Sequence, residues 1–127
     1  MPADEPFAYA LLRAIPHVER GEAVNVGVVV FCRRAEFLEL RWMIPAERLR
    51  ALDPALDLDA VAAQLAALER VAAGDPSAGA VAGQPPSERF HWLVAPASTI
   101  VAPGEVHTGL TADPRATLDR LFGQLVE

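Results

Sequence analysis

The sequence predicts an α+β fold: an antiparallel sheet of four to five strands with two amphipathic helices packed on one face. Three observations carry this prediction. Strand-type segments follow one another directly at the start of the chain, joined by a loop and a four-residue turn, which is the order of a meander and not of strict strand–helix alternation. Two later segments each keep a single apolar stripe at helical spacing, so each must be covered by the sheet or by the other. The length of 127 residues, 52% of them apolar, suits one domain spanning residues 1–127 and excludes disorder for its bulk.

Phe7 to Ile15 reads as the first strand, with Phe7, Tyr9, Leu11, Arg13 and Ile15 on one face and Ala8, Ala10, Leu12 and Ala14 on the other. Pro16 ends it, because proline has no N–H to give a ladder. His17 to Gly21 forms a loop in which Gly21 is suited to a positive φ. The β-branched run from Val24 to Phe31 is a buried second strand ending near Cys32. Asn25 and Gly27 lie inside that run, two residues apart, and regular alternation puts them on one face; a strand-interior glycine marks a bulge or a close approach. Arg33 to Glu36 reads as a hairpin turn into Phe37 to Ile44, where Leu38, Leu40, Trp42 and Ile44 alternate with the wetter Glu39, Arg41 and Met43.

Pro45 fits the first position of a short helix carrying Leu49 and Leu52. Asp57 reads as the N-cap of a longer helix with a stripe of Leu58, Val61, Ala62, Leu65, Leu68 and Ala72, which Gly74 stops. The Pro/Gly-rich stretch 74–88 lacks periodicity and is expected to be a flexible loop, either a plain connector or a lid. The alternation of Phe90, Trp92 and Val94 with Arg89, His91 and Leu93 predicts a fourth strand over Arg89 to Ala95, with both tryptophans in the core. Ser98 to Val101 reads as a short fifth strand, and Glu105 to Gly109 as a turn-rich segment. Asp113 and Pro114 supply a cap and a first-turn proline for a C-terminal helix with its stripe at Leu118, Leu121, Phe122, Leu125 and Val126.

The net charge of −6 lies wholly in residues 51–127; residues 1–50 balance to zero. The chain therefore lacks the basic footprint of a nucleic-acid binder. No apolar run reaches the length of a membrane span, the acidic start of the chain lacks the n- and h-regions of a secretory signal, and the lone Cys32 has no disulfide partner; a cytoplasmic protein is expected. All eleven basic residues are arginine, in a chain also rich in alanine and proline, which fits either a GC-rich genome or bidentate anion recognition.

The residues that could carry chemistry match no known template. His17, His91 and His107 do not sit at metal-ligand spacing, so no metal and no cofactor is expected, and Cys32 at the end of a valine-rich strand reads as an inert thiol. There is no glycine-rich phosphate loop and no nucleophile elbow. What remains is a polar constellation: Arg13, His17, Glu19, Arg20, Glu22 and Asn25 in the first strand–loop–strand unit, and Arg89, His91, Ser98, Thr99, His107 and Thr108 later, which converge on one wall if strands one, two and four are neighbours. Asn25 serves either a structural hydrogen-bond network or a polar pocket.

The segments Phe7–Arg13, Pro16-x-x-Glu-Arg20-Gly21-Glu22-x-x-Asn25-Val26-Gly27-Val28 and Arg89-Phe-His91-Trp92-Leu-Val-Ala-Pro96 resemble the bacterial domain-of-unknown-function family 3037, over nearly the whole chain. The resemblance implies a small single-domain bacterial protein with no assigned activity, and a partner among HipA-like kinases. The expected function is thus a non-catalytic binding or accessory module acting with a protein partner. The alternative is a small enzyme or sensor in which Arg13, Arg20 and Arg89 hold an anionic metabolite such as a nucleotide or phosphoester and a histidine titrates nearby.

Overall fold

The computed structural model describes residues 4–97 and 99–127. Its strands are β1 (Glu5–Ala14), β2 (Val24–Cys32), β3 (Phe37–Trp42), β4 (Val101–Pro103) and β5 (His107–Thr111); its helices are α1 (Ala46–Leu52), α2 (Leu58–Ala73), α3 (Pro86–Leu93) and α4 (Pro114–Leu125). The sheet runs β3-β2-β1-β4, with β5 also on β1, and every pairing is antiparallel. The fold is α+β, as the order of the early strands predicts. Among the described residues no helix is long and apolar enough to cross a membrane.

The helices lie on both faces of the sheet, in place of the two on one face that the sequence was expected to give. Val61 and Leu65 of α2 and Phe90 and Leu93 of α3 pack with Ala10, Leu12, Val29 and Leu40 on one side. Leu118, Leu121, Phe122 and Val126, from α4 and its C-cap, pack with Phe7, Val28 and Val30 on the other. The physical reason is β2 itself: a strand of consecutive valines, fully buried from Val28 to Val30, needs apolar cover on both of its faces. The wetter face of β3 also meets α4, where Arg41 pairs with Asp119 and Arg115 pairs with Glu39 at 2.6 Å.

A bulge changes the phase of β2. Leu12 pairs with Gly27 but Arg13 pairs with Asn25, which leaves Val26 as the extra residue. Val24 and Val26 therefore belong to the α2 side together with Val29, whereas Val28 and Val30 belong to the α4 side. Asn25 and Gly27 consequently face opposite ways. Asn25 donates Nδ2 to Leu125 O at 2.9 Å at the end of α4. A Cβ at Gly27 would meet Leu12 and Trp42, on the α2 side.

The stretch Arg89–Ala95 is not a strand. Pro86 occupies the first turn of α3 and Glu88 follows it, and the buried pair Phe90 and Leu93 has helical spacing. Phe90 stacks on Phe31 at 5.2 Å between ring centroids. Upstream, 74–85 holds two 3-10 turns, Pro76–Ala78 and Ala80–Gly83, with Ala82 buried. The short strand expected at Ser98–Val101 begins at Val101 instead, as β4, and Ser98 lies outside the described residues. The segment read as turn-rich from Glu105 becomes β5 from His107 onward, because β1 offers its first half, Glu5–Tyr9, as a pairing edge.

Candidate functional site

An apolar depression of about 440 Å³ opens where α2, α3 and β4 meet. Its geometry follows from the short helix α3. Burying Phe90 and Leu93 fixes the rotation of the helix and turns His91 and Trp92 outward, so Trp92 is 49% exposed and not in the core. Gln64, Ala67 and Leu68 of α2 form the facing wall, and the small Ala67 leaves room beside the indole. Leu12 and Val101 close the floor, and Pro96 and Pro103 form the far side. An exposed tryptophan at the mouth of an apolar groove supplies a large rigid contact surface with one polar handle, the indole N–H.

The polar residues singled out in the sequence fall in separate places. His17 sits in the β1–β2 loop with Nε2 3.5 Å from Asp53 Oδ2 and Nδ1 3.7 Å from Glu19 Oε1. Arg20 hydrogen-bonds Glu22 across Gly21, whose φ is +73° as expected. That bond holds the Glu22 carboxyl below and the Arg20 guanidinium above their ordinary ranges. Arg89 is on the other side of the molecule, where Nη1 donates to Gln84 O at 2.7 Å and Nη2 to Ala72 O at 3.4 Å, closing the C-terminal end of α2. His91 is exposed on α3, and Thr108 is exposed on β5. Asn25 is committed to α4.

Two of these residues do line one cavity. Arg13 and His107 share a depression of about 280 Å³ with Leu11, Gly104 and Glu105. The connection between β4 and β5 creates it. Pro103 pairs with Leu12 and His107 with Tyr9, so the three residues Gly104–Val106 stand opposite the two residues Ala10 and Leu11. The surplus residue lifts the chain off β1 and carries Gly104 over Arg13; an added Cβ there would lie 3.6 Å from Nε, an ordinary contact. His107 tilts against Tyr9 at 5.2 Å between ring centroids.

Chemistry-bearing groups are otherwise scattered. Cys32 is buried and donates Sγ–H to Pro6 O at 3.4 Å. Among the described residues no three His, Cys, Asp or Glu side chains gather as metal ligands. The apolar groove is hidden in the sequence because Phe90, Trp92 and Val94 alternate as on a strand; Pro86 followed by apolar residues at 90 and 93 is the signal for the helix that exposes Trp92.

The family model described as "Protein of unknown function (DUF3037)" matches residues 9–126 of the chain. No curated protein and no solved structure matches it.

Proposed function

We propose that this chain, which belongs to the DUF3037 family, is a non-catalytic binding module that holds a protein partner in the apolar groove between α2, α3 and β4. The observation that carries the reading is Trp92: a large aromatic ring left half in water at the mouth of a concave, apolar wall. Aromatic anchors seated in such grooves supply most of the affinity of many interfaces. The scatter of the histidines and the buried, engaged thiol of Cys32 support a binding role over a catalytic one. A HipA-like kinase is the first partner to test, on the strength of the family resemblance, in a cytoplasmic bacterial setting.

The test compares affinity capture from the native host by the wild-type chain and by Trp92→Ala. The indole is half exposed, so the variant should keep its melting temperature within a few degrees while losing the captured partner. Capture that is equally strong with Trp92→Ala would remove the groove from the account.

A further inference from the structure

The apolar groove does not stop at Pro103. Pro96 and Pro103, which line it, also line a second depression of about 350 Å³ walled by Arg13, Gly104, Glu105 and Val106. Arg13, Gly104 and Glu105 then belong to the third depression, which ends at His107. These shared residues set the three depressions next to one another, in a row called the channel below. It leaves the α2–α3 face, crosses the sheet edge where β4 gives way to β5, and finishes on the α4 face. Because β4 is the edge strand beside β1, an extended chain has room to lie along it.

The chemistry changes along this path. At one end are Trp92, Leu68 and Leu93. At the other is Arg13, whose Nε is buried and has no hydrogen-bond partner. Arg89 Nε is likewise buried without a partner, but the Nη groups of Arg89 are committed to Gln84 O and Ala72 O; Arg20, Arg41 and Arg115 have carboxylates, and Arg48 donates to a backbone carbonyl. No carboxylate among the described residues lies within 4.0 Å of Arg13; Glu105, which lines the same channel, is exposed and makes no ion pair with it. A donor withdrawn from water and left unmatched is costly unless something else supplies the acceptor. The planar fork of a guanidinium matches a carboxylate with two parallel hydrogen bonds, and His107 adds a second donor on the same wall.

We infer that the channel recognises an extended peptide segment carrying an apolar side chain, which seats against Trp92, and a carboxylate, which seats on Arg13. This rests on the groove reading above and adds the chemistry of the partner. The carboxylate is an acidic side chain or a chain terminus.

Two random-peptide phage libraries test it, one displayed with a free C-terminal carboxylate and one displayed internally. Each is panned against the full chain, Arg13→Gln, Arg13→Lys and Trp92→Ala, with melting temperatures measured for all four. The expected result is a consensus that pairs an apolar residue with an acidic group, binding Arg13→Gln about tenfold or more weakly. Arg13→Lys, which keeps the charge and loses the fork, should fall between. A consensus in the free-terminus library alone identifies a terminal carboxylate; one in both identifies a side chain. Peptides that bind wild type and Arg13→Gln equally, yet fail on Trp92→Ala, overturn this inference and leave the groove standing. Selection that shows no difference between wild type and Trp92→Ala overturns the groove reading itself.

Discussion

A methyl group at Gly27 would stand 2.9 Å from Arg41 O and 3.2 Å from Trp42 Cβ. Neither neighbour can retreat, because one is ladder backbone and the other is anchored in β3. Gly27→Ala should therefore destabilise the chain by about 1–3 kcal/mol, read as a lower denaturant midpoint at unchanged slope. Gly21 is a different case: it has open space around it and a φ of +73°, so Gly21→Ala should cost about 1 kcal/mol through backbone strain alone. Asn25 lies beside the bulge and ties β2 to Leu125 O. Asn25→Ala leaves that carbonyl without its donor and should cost roughly 1–3 kcal/mol, while capture through the Trp92 groove on the opposite face stays intact. A thermal melt and a capture assay on the same sample separate the two effects. The glycine in the β2 run was readable as a close approach, but its facing was not. The bulge at Val26 comes from pairing with β1, and nothing local in Val24–Val28 announces it.

Among the elements, those with a long apolar period were readable. α2 and α4 have the expected stripes, and Asp57 and Asp113 cap them as their positions predict, through Ala60 N in one and Arg115 N and Ala116 N in the other. The eight-residue α3 is ambiguous by periodicity, because over so few positions an alternation of aromatic and polar residues fits strand spacing as well as helical spacing, and only Pro86 tips the balance toward a helix. β5 contains Thr-Gly-Leu-Thr and acquires its strand character from β1. The 74–85 stretch owes its first 3-10 turn to Asp75, whose carboxylate accepts the Ser77 N–H at 2.9 Å and is held below the ordinary aspartate range by that bond. A lowered folded-state value means that the stabilisation is present above the unfolded-state pKa of about 3.9 and is lost as pH falls through the lowered value. The melting-temperature difference between wild type and Asp75→Asn should accordingly be full at about pH 6 and close at about pH 2. The group is exposed, so the difference will be small.

At the scale of the molecule, the sheet is a separator. The α4 face carries charge pairs over β3 and an aromatic pair on β1 and β5, while the other face carries the groove around Trp92. The order of strand and helix patterns along the chain carries the fold class, and the charge distribution carries the lack of a basic footprint. The grouping of Arg13 with His107, and the exposure of Trp92, depend on which edge of β1 receives β4 and β5, and that is a property of the assembled sheet. The central claim is that a partner chain occupies the α2–α3–β4 groove and not the outer surface of helix α4. Site-specific photo-crosslinking tests it most directly, with a benzophenone amino acid placed at Ala97 on the groove wall and, in a second variant, at Gln124 on the exposed side of α4. Irradiation in the native host should give one discrete crosslinked protein from position 97 and none from position 124. A crosslink from 124 alone, or the same product from both positions, would contradict the account.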